Sequence, residues 1–192
     1  MLEKLIAHIE PICSLAAAEI DALSEKVRLK KLRRRQYLLQ EGDICRCYNF
    51  VLKGCLRMYQ VDVKGTEHIL QFAQEDGWIT DISSFHRQLP SKLFIDALEP
   101  SEVLQIQQAD LIQLYIQFPK FDRYFRVLVE NAFVKMQERV LQNISSSAEA
   151  RYRSFLQEYP ALANRISQVQ IAAFIGVTPE FLSKIRQQLK SG

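Results

Sequence analysis

The chain has 192 residues, of which 48% are hydrophobic and 24% are charged, and its formal net charge is +3. This composition is typical of a soluble globular protein and excludes a collagenous or disordered chain. No stretch is apolar for long enough to span a bilayer, and the N-terminal residues lack the basic-then-apolar order of a secretory signal. We therefore expect a cytoplasmic protein with no membrane contact.

The cysteines and histidines form no metal-ligand motif. Metal and iron–sulfur sites usually draw on clustered ligands at CxxC-like spacing, whereas the closest pair here is Cys45 and Cys47. We expect reduced thiols and no metal site. We also expect no enzymatic function, because neither a Ser-His-Asp set, nor paired catalytic acids, nor a phosphate-binding Gly-rich loop stands out.

The first segment predicts two helices, and the next predicts β-structure. Apolar residues recur at helical spacing from Leu2 to Lys26, and Pro11 divides this segment into two pieces. Residues 27 to about 106 then show short alternating runs between turn signals such as Lys53-Gly54 and Asp76-Gly77. Many short antiparallel strands with regular turns predict a small barrel or jelly roll.

Five basic residues lie between Lys30 and Arg35, where the β-structure begins. Such a run fits a solvated face of the sheet, and it also fits a second contact with a polyanion. Both interpretations stay open at this point.

A short helix is predicted from Gln108, and a longer one from Pro119 to Ser145. Apolar residues recur along the longer helix at spacings of three and four, and further apolar residues widen this surface beyond one stripe. A helix that is apolar on two sides needs two partners, which favours the same helix of a second subunit as one of them. The alternative is burial of both faces within one chain. The predicted dimer-interface residues are Phe121, Phe125, Leu128, Ala132, Met136 and Val140.

The C-terminal region predicts a helix-turn-helix. Ser167 and Gln170 can form a capping box at the start of a first helix. Gly176 can adopt the left-handed conformation just past the end of that helix. A second helix then begins with Thr178 as N-cap and Pro179 at the first helical position. In this motif the second helix can enter the DNA major groove.

Charge favours DNA binding over an ordinary helical hairpin. The basic residues from Arg165 onward outnumber the acidic ones, which are represented by Glu180 alone; the basic residues are Arg165, Lys184, Arg186 and Lys190. The polar side chains of the second helix are of the types that read base edges and grip phosphates. The predicted DNA-binding residues are Ser167, Gln168, Thr178, Glu180, Ser183, Lys184, Arg186 and Gln187.

This order of elements resembles the Crp/Fnr family of bacterial transcription regulators over nearly the whole chain. Three stretches carry the resemblance, namely Leu38–Asp43, Phe50–Arg57 and Asp62–Glu67, and the predicted helix followed by Pro160 resembles members from Bacteroidetes-type bacteria. The resemblance implies an α+β fold with three parts. These are a double-stranded β-helix (jelly-roll) sensor domain with N-terminal helices at 1–118, a dimerisation helix at 119–145, and a small all-α helix-turn-helix domain at 146–192 that lacks a full wing.

The resemblance also locates an effector cassette, in which cyclic-AMP-binding members hold the ribose and the cyclic phosphate with a Gly-Glu pair and a later Arg-Ser pair. Here Thr80 and Asp81 stand at the Gly-Glu positions, and Ser91-Lys92 stands where Arg-Ser is expected. Because lysine does not reproduce the bidentate grip of arginine, we expect an effector other than cyclic AMP, or none, and its identity stays unknown. The implied ligand-binding residues are Thr80, Asp81, Ser83, Ser84, Ser91 and Lys92.

In relatives, the recognition helix starts with an Arg-Glu pair and carries an Arg one turn later; this chain has Pro179-Glu180 and Lys184 there. Glu180 can accept a hydrogen bond from a cytosine amine, and Lys184 can contact a guanine or a phosphate. The resemblance implies a ligand-responsive, homodimeric regulator whose partners are double-stranded DNA and RNA polymerase. The alternative is a small-ligand-binding β-roll module with vestigial DNA binding, which Pro179 and the missing wing motivate.

Overall fold

The computed structural model describes the backbone of residues 1–191 and the side chains of residues 1–189. The part that is not described includes the side chain of Lys190, one of the basic residues of the predicted DNA-binding region. It also includes Gly192, where the predicted helix-turn-helix domain ends. Contacts divide the chain into two compact units: Met1–Gln60 with Gln71–Asn131, and Val61–Leu70 with the residues from Ala132 onward. No described helix combines the length and the hydropathy that crossing a bilayer requires.

The β-structure forms two four-stranded sheets with neighbouring strands antiparallel, as in a jelly roll. One sheet has the order β1-β8-β3-β6 and the other β2-β7-β4-β5. The strands are β1 (Val27–Leu32), β2 (Tyr37–Leu39), β3 (Cys47–Lys53), β4 (Leu56–Val61), β5 (Glu67–Ala73), β6 (Trp78–Ile79), β7 (Phe94–Ala97) and β8 (Ser101–Gln107). The predicted jelly roll and α+β class are confirmed.

The turn between β3 and β4 requires glycine for two reasons. Gly54 has a φ of 94°, a left-handed conformation that side chains disfavour. A Cβ at this position would lie 2.2 Å from Oγ of Ser101 and 2.8 Å from its Cα. The close approach of the turn to the start of β8 therefore leaves no room for a methyl group.

Five helices accompany the strands along the chain up to Ser145. They are α1 (Leu2–Ile9), α2 (Ala17–Lys26), α3 (Ile82–Arg87), α4 (Gln108–Gln117) and α5 (Pro119–Ser145). The break between the two N-terminal helices falls at Pro11, as predicted, and α5 has the predicted bounds. The short helix α3 was not predicted.

The first turns of α5 are anchored in an aromatic cluster. The hydroxyl of Tyr124 accepts a hydrogen bond from Nε1 of Trp78 at 2.8 Å and lies 2.7 Å from Nδ1 of His8. The ring of Phe125 packs edge-on against Trp78 and Tyr48, with centroid distances of 5.3 and 5.4 Å. This part of α5 therefore belongs to the core of the first unit.

Two of the predicted dimer-interface residues are wrong for this reason. Phe121 and Phe125 expose 0% and 4% of their surface within the single chain. Their rings face the core of their own unit, because the start of α5 closes that core. They are not available to a second subunit.

The C-terminal helices form the small core of the second unit. After α5 come α6 (Ala148–Glu158), a 3-10 turn (Leu162–Asn164), α7 (Gln168–Ile175) and α8 (Pro179–Ser191). Rings of Phe155, Tyr159 and Phe174 meet pairwise at centroid distances of 5.5 to 5.8 Å. Apolar residues from each helix complete this core, namely Tyr152, Leu162, Ile171, Ala172, Ile175, Leu182 and Ile185.

Candidate functional site

The helix-turn-helix is built by local hydrogen bonds that the sequence predicts. Oγ of Ser167 accepts from the backbone N–H of Gln170 at 3.3 Å, and Oε1 of Gln170 accepts from the N–H of Ser167 at 2.9 Å. Gly176 has a φ of 71°, and the N–H of Val177 donates to the carbonyl of Ala172 at 3.0 Å. The predicted capping box and left-handed glycine are therefore confirmed, and they fix the turn between α7 and α8.

The start of α8 is also capped. Oγ1 of Thr178 accepts from the N–H of Phe181 at 3.3 Å, which confirms Thr178 as the N-cap. Hydrogen bonds from the N–H of Glu180 and from the side chain of Thr178 hold the pKa of the Glu180 carboxyl below its usual range. An ionised carboxylate therefore stands at the positive end of the helix dipole.

One side of α8 is buried and the other is exposed. Leu182 and Ile185 face the core, whereas Glu180, Ser183, Lys184 and Gln187 are exposed. These four follow the spacing i, i+3, i+4, i+7, which places them on a single helix face. Of the remaining predicted DNA-binding residues, Ser167, Gln168 and Thr178 are exposed and Arg186 is half-buried. Their contacts with DNA stay a prediction.

Sequence reasoning missed one residue on this surface. Phe181 is not among the predicted DNA-binding residues, but 49% of its surface is exposed. Its position directly after Glu180 places an aromatic ring in the first turn of the exposed helix. Helical spacing gave no signal for this exposure, because Phe181 lies four residues before the buried Ile185 and thus on the same side of the helix.

Sequence reasoning also missed two arginines, on α5 and α6, that contact the C-terminal end of α7. Arg151 donates from Nε to the carbonyl of Ile175 at 2.9 Å, and Arg139 donates to the carbonyl of Phe174 at 3.0 Å. Arg139 also donates to the carbonyls of Ile69 and Leu70, and its guanidinium lies 4.0 Å from the centroid of the Phe174 ring. Both cations thus satisfy backbone carbonyls that a helix C-terminus leaves unpaired.

The residues of the predicted effector cassette lie in the first unit and form hydrogen bonds within it. Asp81 is the N-cap of α3, where Oδ1 accepts from the N–H of Ser84 at 3.2 Å. Its Oδ2 accepts from Oγ of Ser91 at 2.7 Å. Oγ of Ser84 donates to the carbonyl of Leu89 at 2.6 Å, and Oγ1 of Thr80 donates to the carbonyl of Cys47 at 2.7 Å.

Burial divides the predicted cassette residues into two sets. Thr80, Asp81, Ser84 and Ser91 are buried, and their polar groups hold the loop around α3. Ser83 and Lys92 are exposed. Contacts of these six residues with an effector stay a prediction. The exposed Ser83 and Lys92 are the two that are not part of the hydrogen bonds described above.

The second half of α5 carries an exposed apolar stripe. Met136 and Val140 are both 48% exposed, and Ala132 is exposed, whereas Leu128 is half-buried. Further large exposed side chains lie on the same part of the helix, namely Phe133, Val134, Leu141 and Ile144. The four remaining predicted interface residues therefore lie at or beside this stripe, and their role in a dimer stays a prediction.

No group of three or more histidine, cysteine or acidic side chains is arranged to hold a metal ion within the described residues. Cys45 and Cys55 are buried, and burial raises the pKa of the Cys47 thiol. A raised pKa keeps this thiol protonated and weakly nucleophilic at neutral pH.

Comparisons with known proteins agree with this architecture. Residues 29–118 match the cyclic nucleotide-binding domain family. The electron transport regulator A of Shewanella oneidensis is 25% identical to this chain, over 90% of this chain and 73% of that protein. The fumarate and nitrate reduction regulatory protein of Vibrio cholerae is 27% identical over the same shares of the two chains. Both relatives are regulators by name.

Solved structures show the same fold. FixK2 from Bradyrhizobium japonicum aligns with a TM-score of 0.77 at 17% identity, covering 86% of this chain and 85% of that chain. The c-di-GMP responsive global regulator CLP of Xanthomonas campestris aligns with a TM-score of 0.75 at 13% identity, covering 92% of each chain. Residues 29–118 thus match the cyclic nucleotide-binding domain family, and the chain shares its fold with these solved structures.

Proposed function

We propose that the protein is a homodimeric transcription regulator that binds double-stranded DNA through α7 and α8. The observation that carries this proposal is the exposed face of α8, on which Glu180, Ser183, Lys184 and Gln187 stand together. A helix that is capped at its start and packed on its opposite side presents such a face without further rearrangement. The similarity to two proteins known as regulators supports the same function.

The residue chemistry supports a division of roles on this surface. Glu180 stays ionised and can accept from a cytosine amine, while Lys184 can donate to a guanine. Ser167 and Thr178 lie at the starts of α7 and α8, where hydroxyl groups and backbone N–H groups commonly contact phosphate. Phosphate contacts set the register on the duplex, and base contacts choose the sequence.

Dimerisation is supported by the exposed stripe on α5. A contiguous set of large apolar side chains on a soluble protein usually marks an interface. A two-fold pair of α5 helices would bury this stripe and would place two copies of α8 on successive major grooves, about 34–36 Å apart. The operator is then a rough palindrome.

The first unit would act as a sensor, as the family resemblance implies. Cyclic AMP is disfavoured because Ser91 is buried in the brace around α3 and Lys92 offers a point charge in place of a guanidinium fork. Ser83 and Lys92 are the side chains available to another small effector. We place this activity in the cytoplasm, with RNA polymerase as a further partner.

Replacement of Lys184 by alanine tests the DNA-binding surface. If Lys184 reads a base, the variant should lose about 1–3 kcal/mol of binding free energy on the preferred duplex and less on random duplex. Arg153→Ala is the matched control, because it removes one exposed cation from α6, where Arg153 pairs with Glu149. Equal affinity of wild type and Lys184→Ala for the preferred duplex, measured by fluorescence anisotropy, would contradict the proposed surface.

A further inference from the structure

Phe181 is an exposed aromatic residue at the edge of the polar face of α8, between Lys184 and the buried Ile185. Its exposed fraction is 49%, whereas those of Leu182 and Ile185 on the same helix are 0% and 4%. About half of the Phe181 side chain therefore lies outside the core of the second unit. Its backbone N–H is bonded to Oγ1 of Thr178 at 3.3 Å, so the cap fixes where this residue stands in the first turn.

Helical spacing places the ring beside the cationic centre of the surface. Phe181 precedes Lys184 by three residues, and residues at this spacing are neighbours on a helix surface. It also follows Glu180 directly, at the end of α8 whose residues approach base edges in a helix-turn-helix. A ring in this position enters the major groove together with the Lys184 ammonium group.

The major groove offers one apolar group to such a ring. Each base pair presents hydrogen-bond donors and acceptors there, and thymine adds its C5 methyl. We propose that Phe181 is a specificity-determining residue that packs against a thymine methyl in each half-site, next to the base pair contacted by Lys184. This inference rests on the proposed DNA-binding function and names a preference within it.

The size of the effect follows from the burial of one methyl group. Burial of one such group changes a binding constant by about fourfold, so two symmetric half-sites change it by about fifteenfold. Replacement of thymine by deoxyuridine removes the methyl and leaves the hydrogen-bonding edge unchanged. The substitution therefore measures the methyl contact alone.

The experiment compares proteins and duplexes in a double-mutant cycle. Each thymine of the selected palindrome is replaced in turn by deoxyuridine, symmetrically in both half-sites. Affinity is then measured for wild type, Phe181→Ala and Phe181→Leu. At one thymine, wild type should lose about fifteenfold in affinity, Phe181→Ala should lose nothing, and Phe181→Leu should fall between them.

Two controls separate this contact from a loss of folding. Phe181→Ala keeps the backbone N–H that bonds to Thr178 and removes a ring that is only half buried, so the variant should stay folded with a thermal midpoint slightly below that of wild type. Val169→Ala removes another exposed apolar side chain of the same unit, with 59% of its surface exposed, and should keep the wild-type response to deoxyuridine.

The outcomes distinguish this inference from the function on which it rests. If wild type selects a palindrome but Phe181→Ala responds to every deoxyuridine as wild type does, the methyl contact is wrong and the proposed function stands. If wild type selects no sequence at all, the proposed function fails, and the methyl contact fails with it.

Discussion

Asp81→Ala should destabilise the first unit, because this carboxylate braces the loop around α3. It accepts one hydrogen bond from the N–H of Ser84 at 3.2 Å and one from Oγ of Ser91 at 2.7 Å. Loss of an N-cap costs about 1 kcal/mol, and loss of a hydrogen bond to a charged group costs about 1.5–3 kcal/mol. We therefore expect the free energy of unfolding to fall by about 3 kcal/mol.

Urea titration followed by tryptophan fluorescence measures this change. The chain has one tryptophan, Trp78, and it lies in the same unit as the brace. Ser83→Ala is the matched control: Ser83 is exposed, so its loss should change the unfolding free energy by less than about 0.5 kcal/mol. If Asp81→Ala unfolds at the same urea concentration as wild type, the carboxylate does not stabilise the loop around α3. A contact with an effector would then be the better explanation for an aspartate at position 81.

Three further predictions concern the two units. Gly54→Ala should lower the free energy of unfolding, measured by urea titration, by well over 1 kcal/mol, because its Cβ would lie 2.2 Å from Oγ of Ser101. Gly42→Ala is its control: no atom lies within 4 Å of the added Cβ, so this change should cost only the strain of the positive φ, about 1 kcal/mol. Burial lowers the pKa of His8 below 6.5, and the nearby Asp76 charge opposes this more weakly, so the folded state binds fewer protons than the unfolded state. Stability should therefore fall as the pH drops below about 6.5, and His8→Gln should flatten this dependence in thermal melts. Val140→Glu puts a charge on the exposed α5 stripe and should give monomers by light scattering; a variant that stays dimeric would place the interface elsewhere.

The helix-turn-helix and the long helix could be predicted from the sequence because their signals are local. Capping by Ser167 and Thr178, and the left-handed turn at Gly176, each need only a few neighbouring residues. Proline at the first position and sustained periodicity similarly define the bounds of α5. Hydrogen bonds within one turn join only neighbouring residues, so the local sequence is sufficient to predict them.

The missed features depend on contacts that are distant in the sequence. Helix α3 has six residues, too few for periodicity to reveal it, and its N-cap Asp81 was interpreted only as a ligand residue. The apolar pattern of α5 could not show which turns its own unit buries, so Phe121 was assigned to the dimer. Arg139 is invisible for the same reason, since two of its carbonyl partners are Ile69 and Leu70. Apolar spacing alone likewise could not show that Phe181 is left outside the core.

Selection of bound sequences from a random duplex library with the purified protein tests the central claim most directly. Two α8 helices on a two-fold dimer predict a palindrome whose half-sites are one helical turn apart, about 10–10.5 base pairs from centre to centre, or a multiple of this spacing. Lys184→Ala should weaken the enrichment of that palindrome. Salt-sensitive binding without any enriched motif, or no binding, would contradict the claim and would leave a ligand-binding β-roll module as the better account.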